Sequence, residues 1–283
     1  MSERNQPCAC GSGRRYKHCC GALGASGNAQ ATPAVPVAPK DPSPYVGMGR
    51  FRDELRGQAM APFCAAEPAG QAPGLAWAPP GLLVVENFLD VDTCARWREH
   101  FDRQQTTPAT VQDTSRRNPD GSPVYRLDEQ RITDFVPMAE LESEIQRSLL
   151  AACRDLIAPH YGRELEWMSY PGVLKYRAGG EYKAHADSEH WDVAAQRWIR
   201  SMDRDYSMLL YINGDFEGGG LYFRNFDVRL APAPGMLVVF PSDHRYVHTA
   251  EPVTRGERYA IVCWTAARGT ARVNPPPPRA TRL

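Results

Sequence analysis

Between Trp167 and Thr265 the chain is cut into short apolar runs by turns, and this limits its fold more than any other feature. The runs are Gly172–Tyr176, Tyr182–Ala186, Tyr206–Ile212, Gly220–Phe223, Gly235–Phe240 and Arg258–Thr265. Gly179-Gly180, Asn213-Gly214-Asp215, Gly218-Gly219, Ala233-Pro234-Gly235 and Arg255-Gly256-Glu257 separate them. Runs this short, bounded this way, read as strands of antiparallel sheets. Helical periodicity comes earlier. After a short strand at Leu82–Val85, Asp90 or Asp92 can cap a helix that aligns Cys94, Trp97 and Phe101. Pro137 opens a longer helix with Met138, Leu141, Ile145, Leu149 and Leu156 on one face, ending near Pro159 to Gly162. Thr106 to Pro123 is polar and reads as a loop. The expectation is a mainly β chain with flanking helices (α+β), built on a jelly roll of about eight strands.

The flanks are of another kind. Eight cysteines would suit a disulfide framework, but Cys8, Cys10, Cys19 and Cys20 crowd into the first twenty residues. In a reducing compartment such a cluster points to a metal, and four thiolates complete a tetrahedral zinc site. Asn5 to Ala22, with Cys-x-Cys-Gly-Ser-Gly and Tyr-Lys-x-Cys-Cys, resembles the SEC-C motif. That resemblance implies zinc held by Cys8, Cys10, Cys19 and Cys20, and docking to proteins or ribosomes. Residues 23–78 are rich in Pro, Ala and Gly and read as a linker. The expected organisation is a zinc motif at 1–22, a linker at 23–78, a catalytic domain at 79–270 and a Pro-rich tail at 271–283. Formal net charge is +0, so nothing global argues for nucleic acid or a membrane surface. With no apolar stretch near the ~20 residues that span a bilayer, a cytoplasmic protein is expected.

The chemistry centres on His185-Ala186-Asp187. On a strand, residues two apart point to one side, so an imidazole nitrogen and a carboxylate oxygen can share one metal ion. His248 and His244 are candidates for the third ligand. Two His and one carboxylate on one face of an octahedral iron leave three positions for a co-substrate and dioxygen. The surroundings are Tyr176-x-x-Gly179-x-x-Tyr182, the run Arg204-Asp205-Tyr206-Ser207-Met208-Leu209-Leu210-Tyr211-Ile212-Asn213-Gly214-Asp215-Phe216-Glu217-Gly218-Gly219, and Arg258 ten residues after His248.

This pattern resembles the iron- and 2-oxoglutarate-dependent dioxygenases, in particular the leprecan-type prolyl 3-hydroxylases of the prolyl-hydroxylase branch. The resemblance implies a double-stranded β-helix (cupin-like) and iron ligation by His185, Asp187 and His248. It favours His248 over His244 through the ten-residue spacing to a basic residue. It also implies that Arg258 pairs with the distal carboxylate of 2-oxoglutarate, that Tyr176 and Tyr211 line the co-substrate pocket, and that L-ascorbate is admitted as an accessory reductant. An arginine fork can hold a carboxylate through two parallel hydrogen bonds, and Ala260, Val262 and Trp264 share its strand face. Arg255, beside a Gly-Glu turn, is the weaker anchor. Tyr182 is either pocket lining or a packed aromatic, and Asn213 serves the turn, the pocket or both. Ser188 to Met202, with Trp191 and Trp198, is either a lid or a surface helix. Trp264 stands where nucleic-acid demethylases carry a second arginine, which counts against a nucleic-acid substrate.

The expected activity is hydroxylation of a prolyl or other residue in a protein substrate, with conversion of 2-oxoglutarate to succinate and carbon dioxide. Two alternatives stand beside it. One is an oxygenase of a small molecule or free amino acid; the other is a non-catalytic adaptor that docks through the zinc motif.

Overall fold

The computed structural model describes residues 78–283, together with 70, 72–75, Gln6 and Arg15. Cys8, Cys10, Cys19 and Cys20 and most of the linker lie outside the described residues.

Strand β1 (Leu83–Val85) leads into helix α1 (Val91–Asp102). The helix starts where Asp90 Oδ1 accepts from the Thr93 N–H at 2.8 Å, satisfying a backbone donor that has no partner within the helix. Its buried face is Cys94, Trp97 and Phe101, as the spacing predicts. Five short strands follow: β2 (Thr107–Pro108), β3 (Val111–Arg117), β4 (Pro123–Arg126), β5 (Arg131–Ile132) and β6 (Asp134–Val136). A 3-10 turn at Ala139–Leu141 enters helix α2 (Glu142–Ala152). A wider π turn, Cys153–Ile157, joins it to α3 (Ala158–Tyr161), and Gly162 closes the run with φ 59°.

The remaining strands are β7 (Leu165–Met168), β8 (Gly172–Tyr176), β9 (Glu181–His185), β10 (Glu189–Asp192), β11 (Arg197–Arg200) and β12 (Tyr206–Tyr211). They continue with β13 (Glu217–Gly218), β14 (Leu221–Phe223), β15 (Val228–Leu230) and β16 (Leu237–Pro241). The last are β17 (His248–Ala250), β18 (Val253–Arg255), β19 (Arg258–Ala267) and β20 (Thr281–Arg282).

Two large antiparallel sheets result, with three two-stranded ribbons, β3–β4, β10–β11 and β13–β18, beside them. The larger runs β1-β16-β12-β19-β8-β6-β2, with β7 beside β19 and β20 beside β7; the smaller runs β15-β14-β17-β9-β5. In chain order β8, β12, β16 and β19 join the larger sheet, while β9, β14, β15 and β17 join the smaller. This winding is the double-stranded β-helix that the resemblance implies. One face of the larger sheet packs on the helices through Trp97, Phe101, Ile145, Leu149, Met208 and Ile261. The opposite face meets the smaller sheet through Tyr211, Phe223, Phe240 and Ala260.

Several expectations need correction. Thr106 to Pro123 is no loop: it supplies β2 and β3, and β3 pairs with β4 as a hairpin. Its residues are polar on both faces, so no alternation marked it. Ser188 to Met202 is neither loop nor helix but the β10–β11 hairpin, with Trp191 opposite Trp198. Strands β15, β17 and β18 have three residues each and were too short to show a period. On the long helix the π turn inserts an extra residue, so Cys153 and Ile157 take the buried face and Leu156 is only half-buried. The segment read as a tail returns to the domain, where Thr281 pairs with Met168. No helix among the described residues is long and apolar enough to cross a membrane.

Candidate active site

Between the two sheets lies a cavity of about 410 Å³ whose wall includes Tyr176, Tyr182, His185, Asp187, Tyr211, His248 and Arg258. Cross-strand register builds its first half. His248 on β17 stands directly opposite His185 on β9, with ring centroids 4.3 Å apart. Strand β9 ends at His185, so Asp187 lies two residues beyond it, and other contacts hold it there. Its N–H donates to the Ser242 carbonyl at 3.1 Å, and its Oδ2 accepts from Ser207 Oγ at 2.6 Å. Ser207 Oγ is also 2.7 Å from Ser242 Oγ, which ties the carboxylate to β12 and β16 of the larger sheet.

The three side chains offer ligand atoms within 4.8 Å of one another. His185 Nε2 is 3.6 Å from Asp187 Oδ1, and His248 Nε2 is 3.8 Å from Oδ2. Each imidazole uses its Nδ1 on a backbone carbonyl two residues back: Lys183 O at 2.8 Å and Tyr246 O at 3.0 Å. A carbonyl only accepts, so in each neutral ring the proton sits on Nδ1 and the Nε2 lone pair is free. This is the second contact that orients a metal-binding histidine. Burial holds His248 well below the usual histidine range, at about 4, helped by the neighbouring His185. It is therefore unprotonated at neutral pH. Burial opposes ionisation of Asp187, but the adjoining His185 and His248 rings and the nearby Arg204 outweigh it and hold the carboxyl below its ordinary range. Two imidazole nitrogens and one carboxylate form a donor set that fits a ferrous ion.

The other half of the cavity holds Arg258, 2% exposed. Its Nη1 donates to the Gly219 carbonyl, its guanidinium lies 4.0 Å from the centre of the Tyr176 ring, and its Nε has no partner among the described residues. The Gly218-Gly219 turn permits that backbone approach: both have positive φ, and a Cβ on Gly218 would lie 2.4 Å from the Pro252 carbonyl oxygen. Tyr176 and Tyr211 both face this half. Burial raises the Tyr211 phenol, so it remains a hydrogen-bond donor. Ala260, Val262 and Trp264 line the cavity from the same strand face as Arg258.

Other residues sort themselves by contact. Tyr182 is both packed and lining, stacked on His185 at 3.6 Å, and burial pushes its phenol up to about 12. His244 points elsewhere, bonded to Glu189 at 2.6 Å and stacked on Trp198. His190 lines the cavity without joining the ligand group. Arg255 is exposed and paired with Glu217. Asn213 serves the turn, accepting from Tyr259 N–H at 2.8 Å and donating to the Glu257 carbonyl at 2.7 Å. Two residues had no role on the sequence and gain one here. Arg204 donates to the Asp187 carbonyl at 3.1 Å and lies 3.6 Å over the Trp264 ring. Ser207 was legible as the one small polar side chain in a strand of large hydrophobic and aromatic residues, Tyr206 to Tyr211.

Comparison with known proteins agrees with this geometry. Residues 171–266 match the 2OG-Fe(II) oxygenase superfamily, and residues 4–22 match the SEC-C motif. Prolyl 3-hydroxylase 1 of Gallus gallus is 44% identical over 66 residues, which are 22% of this chain and 9% of that protein. The chain thus matches about a tenth of the length of such curated relatives. Among solved structures, a Trichoplax adhaerens prolyl hydroxylase in complex with a hypoxia inducible factor peptide fragment is 18% identical, with a TM-score of 0.48 over 78% of this chain and 92% of that one. A Pseudomonas putida prolyl-4-hydroxylase is 22% identical, with a TM-score of 0.45 over 67% and 94%.

Proposed function

We propose that the 2OG-Fe(II) oxygenase domain this chain carries at residues 171–266 hydroxylates a prolyl residue of a polypeptide. The observation that supports this most is one cavity with two poles: a His-Asp-His donor set and, across it, a buried arginine with an unpartnered Nε. When bound, ferrous iron and 2-oxoglutarate supply the oxidation: the keto acid becomes succinate and carbon dioxide, and dioxygen contributes one atom to succinate and one to the substrate C–H bond.

The chain's own part is to hold and shield. His185, Asp187 and His248 are the iron ligands. Ser207 and the Lys183 and Tyr246 carbonyls keep those three oriented. Arg258 pairs with the distal carboxylate of 2-oxoglutarate, and the phenols of Tyr176 and Tyr211 line that carboxylate's pocket. Arg204, fixed on Trp264, forms one side of the cavity that receives the substrate. L-Ascorbate serves as the reductant that restores ferrous iron after uncoupled turnover. Cys8, Cys10, Cys19 and Cys20 would hold zinc in the N-terminal motif that matches SEC-C, and that motif would dock the enzyme to a ribosome or translation-related protein in the cytoplasm. The three described cysteines, Cys94, Cys153 and Cys263, are free thiols, as a reducing compartment requires.

The test is turnover of the full chain with iron, 2-oxoglutarate and a panel of proline-containing peptides. Succinate release and a gain of one oxygen on a proline are expected. Iron bound with no succinate, even without peptide, sinks the oxygenase assignment. Succinate with oxygen appearing only on free amino acids redirects it to a small-molecule substrate.

A further inference from the structure

A second cavity, of about 660 Å³, lies against the first. The two share a wall of six residues: Thr110, Tyr125, Arg131, Arg204, Val262 and Trp264. The far side of the second is lined by Phe135, Met138, Tyr170 and Pro171. Its outer edge is Arg279, contributed by the C-terminal segment. Arg279 has φ 60°, a left-handed backbone costly for an arginine. That turn sets its guanidinium 3.5 Å from the Tyr170 ring centre and 2.6 Å from Glu142, which also accepts from the Tyr170 hydroxyl at 2.6 Å.

Arg131 sits where the cavities meet. Its Nη1 donates to the Thr110 carbonyl at 2.9 Å, and its guanidinium carbon lies 5.1 Å and 5.0 Å from the Phe135 and Tyr182 rings. Its buried Nε has no partner among the described residues, nor has Gln112 Nε2 on the first cavity's wall. The second cavity thus alternates aromatic walls, Phe135, Tyr170 and Trp264, with the guanidinium groups of Arg131, Arg204 and Arg279, and this lining suits one occupant: an extended peptide, which brings carbonyl acceptors and side chains at every step. Chain continuity supplies the rest. If the target residue lies against Trp264, its neighbours in sequence cross the shared wall.

We propose that the second cavity is a subsite for a residue flanking the target on the same polypeptide. It takes a second proline, or another apolar side chain, against Phe135, Tyr170 and Pro171, and Arg279 sets its outer limit. This rests on the polypeptide reading above. Its consequence is a preference for substrates with two prolines at a fixed offset.

The full chain with iron and 2-oxoglutarate tests it. One peptide carries a single proline in a Gly/Ser context; a series adds a second proline at successive offsets. Binding is read by anisotropy of the fluorescein-labelled peptides, and oxygen gain by mass spectrometry. At one offset the second proline is expected to lower Kd and KM about 3- to 10-fold, the size one aromatic contact supplies. Thr107→Trp, placed on the exposed edge strand β2 at the rim of the second cavity, is expected to bring the two-proline to one-proline ratio back to unity. Tyr170→Ala should lower the same ratio, which a general loss of folded protein leaves unchanged. A hydroxylated single-proline peptide with no advantage at any offset overturns the subsite and leaves the function standing. An advantage that Thr107→Trp and Tyr170→Ala both leave intact also overturns it. Succinate without binding or oxidation of any proline peptide removes the prolyl reading and the subsite together.

Discussion

The two faces of the larger sheet are written by the same strands and differ in kind. On β19, Tyr259, Ile261 and Cys263 turn to the helices, while Arg258, Ala260, Val262 and Trp264 turn to the cavity. On β12, Met208 and Leu210 face the helices, while Leu209 and Tyr211 line the cavity and Ser207 holds Asp187. The helical face is closed and mainly apolar, so most of its residues are answerable to packing. The cavity face carries a buried arginine and a hydroxyl, groups that cost stability unless something is bound or bonded there. Period two makes this division possible: each strand serves both without compromise. The division predicts that damage on one face leaves the other's property intact.

The sharpest break is His248→Ala. It removes one nitrogen of the donor set but lies outside the helix-backed core. Succinate formation is expected to fall to background with iron affinity lost, while the urea midpoint of the metal-free protein stays near wild type. Full turnover in this variant would show that another residue, His244 first, completes the ligand set. The reverse break is Trp97→Ala, at a fully buried side chain between α1 and the larger sheet. A cavity of that size costs about 3–5 kcal/mol. Turnover per folded molecule is expected to stay within a factor of two (about 0.4 kcal/mol). A large fall in that specific activity would show that the faces are mechanically coupled.

Ser207→Ala probes the seam between them. It leaves the strand and the iron ligands in place and removes only the hydroxyl that fixes Asp187 Oδ2. Loss of such an orienting contact typically costs about 10- to 100-fold in metal affinity or activity. Iron titration should therefore shift, with activity largely restored at saturating iron. No shift would mean that Ser242 alone suffices.

This contrast also explains what could be read from the amino acids. Tyr206 to Ile212 and Arg258 to Thr265 declare themselves because one face is almost wholly apolar, so their period survives the functional residues on the other. His185, Asp187, His248 and Arg258 were legible by spacing, and the structure brings them to one cavity. Strand β3 was not legible, because Val111 to Arg117 carries no apolar face; its pairing with β4 is local and turn-driven. Ser188 to Met202 concealed a hairpin for a similar reason, since its Trp191–Trp198 contact is cross-strand and has no helical or sheet-wide period. Arg131 and Arg204 were invisible as site residues: their meaning comes from rings distant in sequence, Phe135 and Tyr182 for one and Trp264 for the other.

The smallest expected effect separates the faces by pH. On the helical side, His160 in α3 sits edge-on to Tyr161 at 4.7 Å, and its buried Nε2 has no partner among the described residues. Burial holds its pKa below the ordinary histidine value of 6.5. Above that value the ring is neutral in both states, so it contributes no pH dependence. As pH falls below it, the unfolded chain takes up a proton that the folded chain resists, so stability declines. His248 on the cavity face is depressed in the same direction, so the metal-free protein should lose stability through both groups. His160→Gln removes only one of them. Between pH 7.5 and 5.5 the urea midpoint of the variant is expected to fall less than that of wild type, and the His248 contribution cancels in the difference. Saturating iron competes with protonation at His248 and leaves His160 untouched. With iron bound, the wild-type slope should therefore approach the part that His160→Gln removes. If iron instead abolishes the slope entirely, His160 contributes nothing to it.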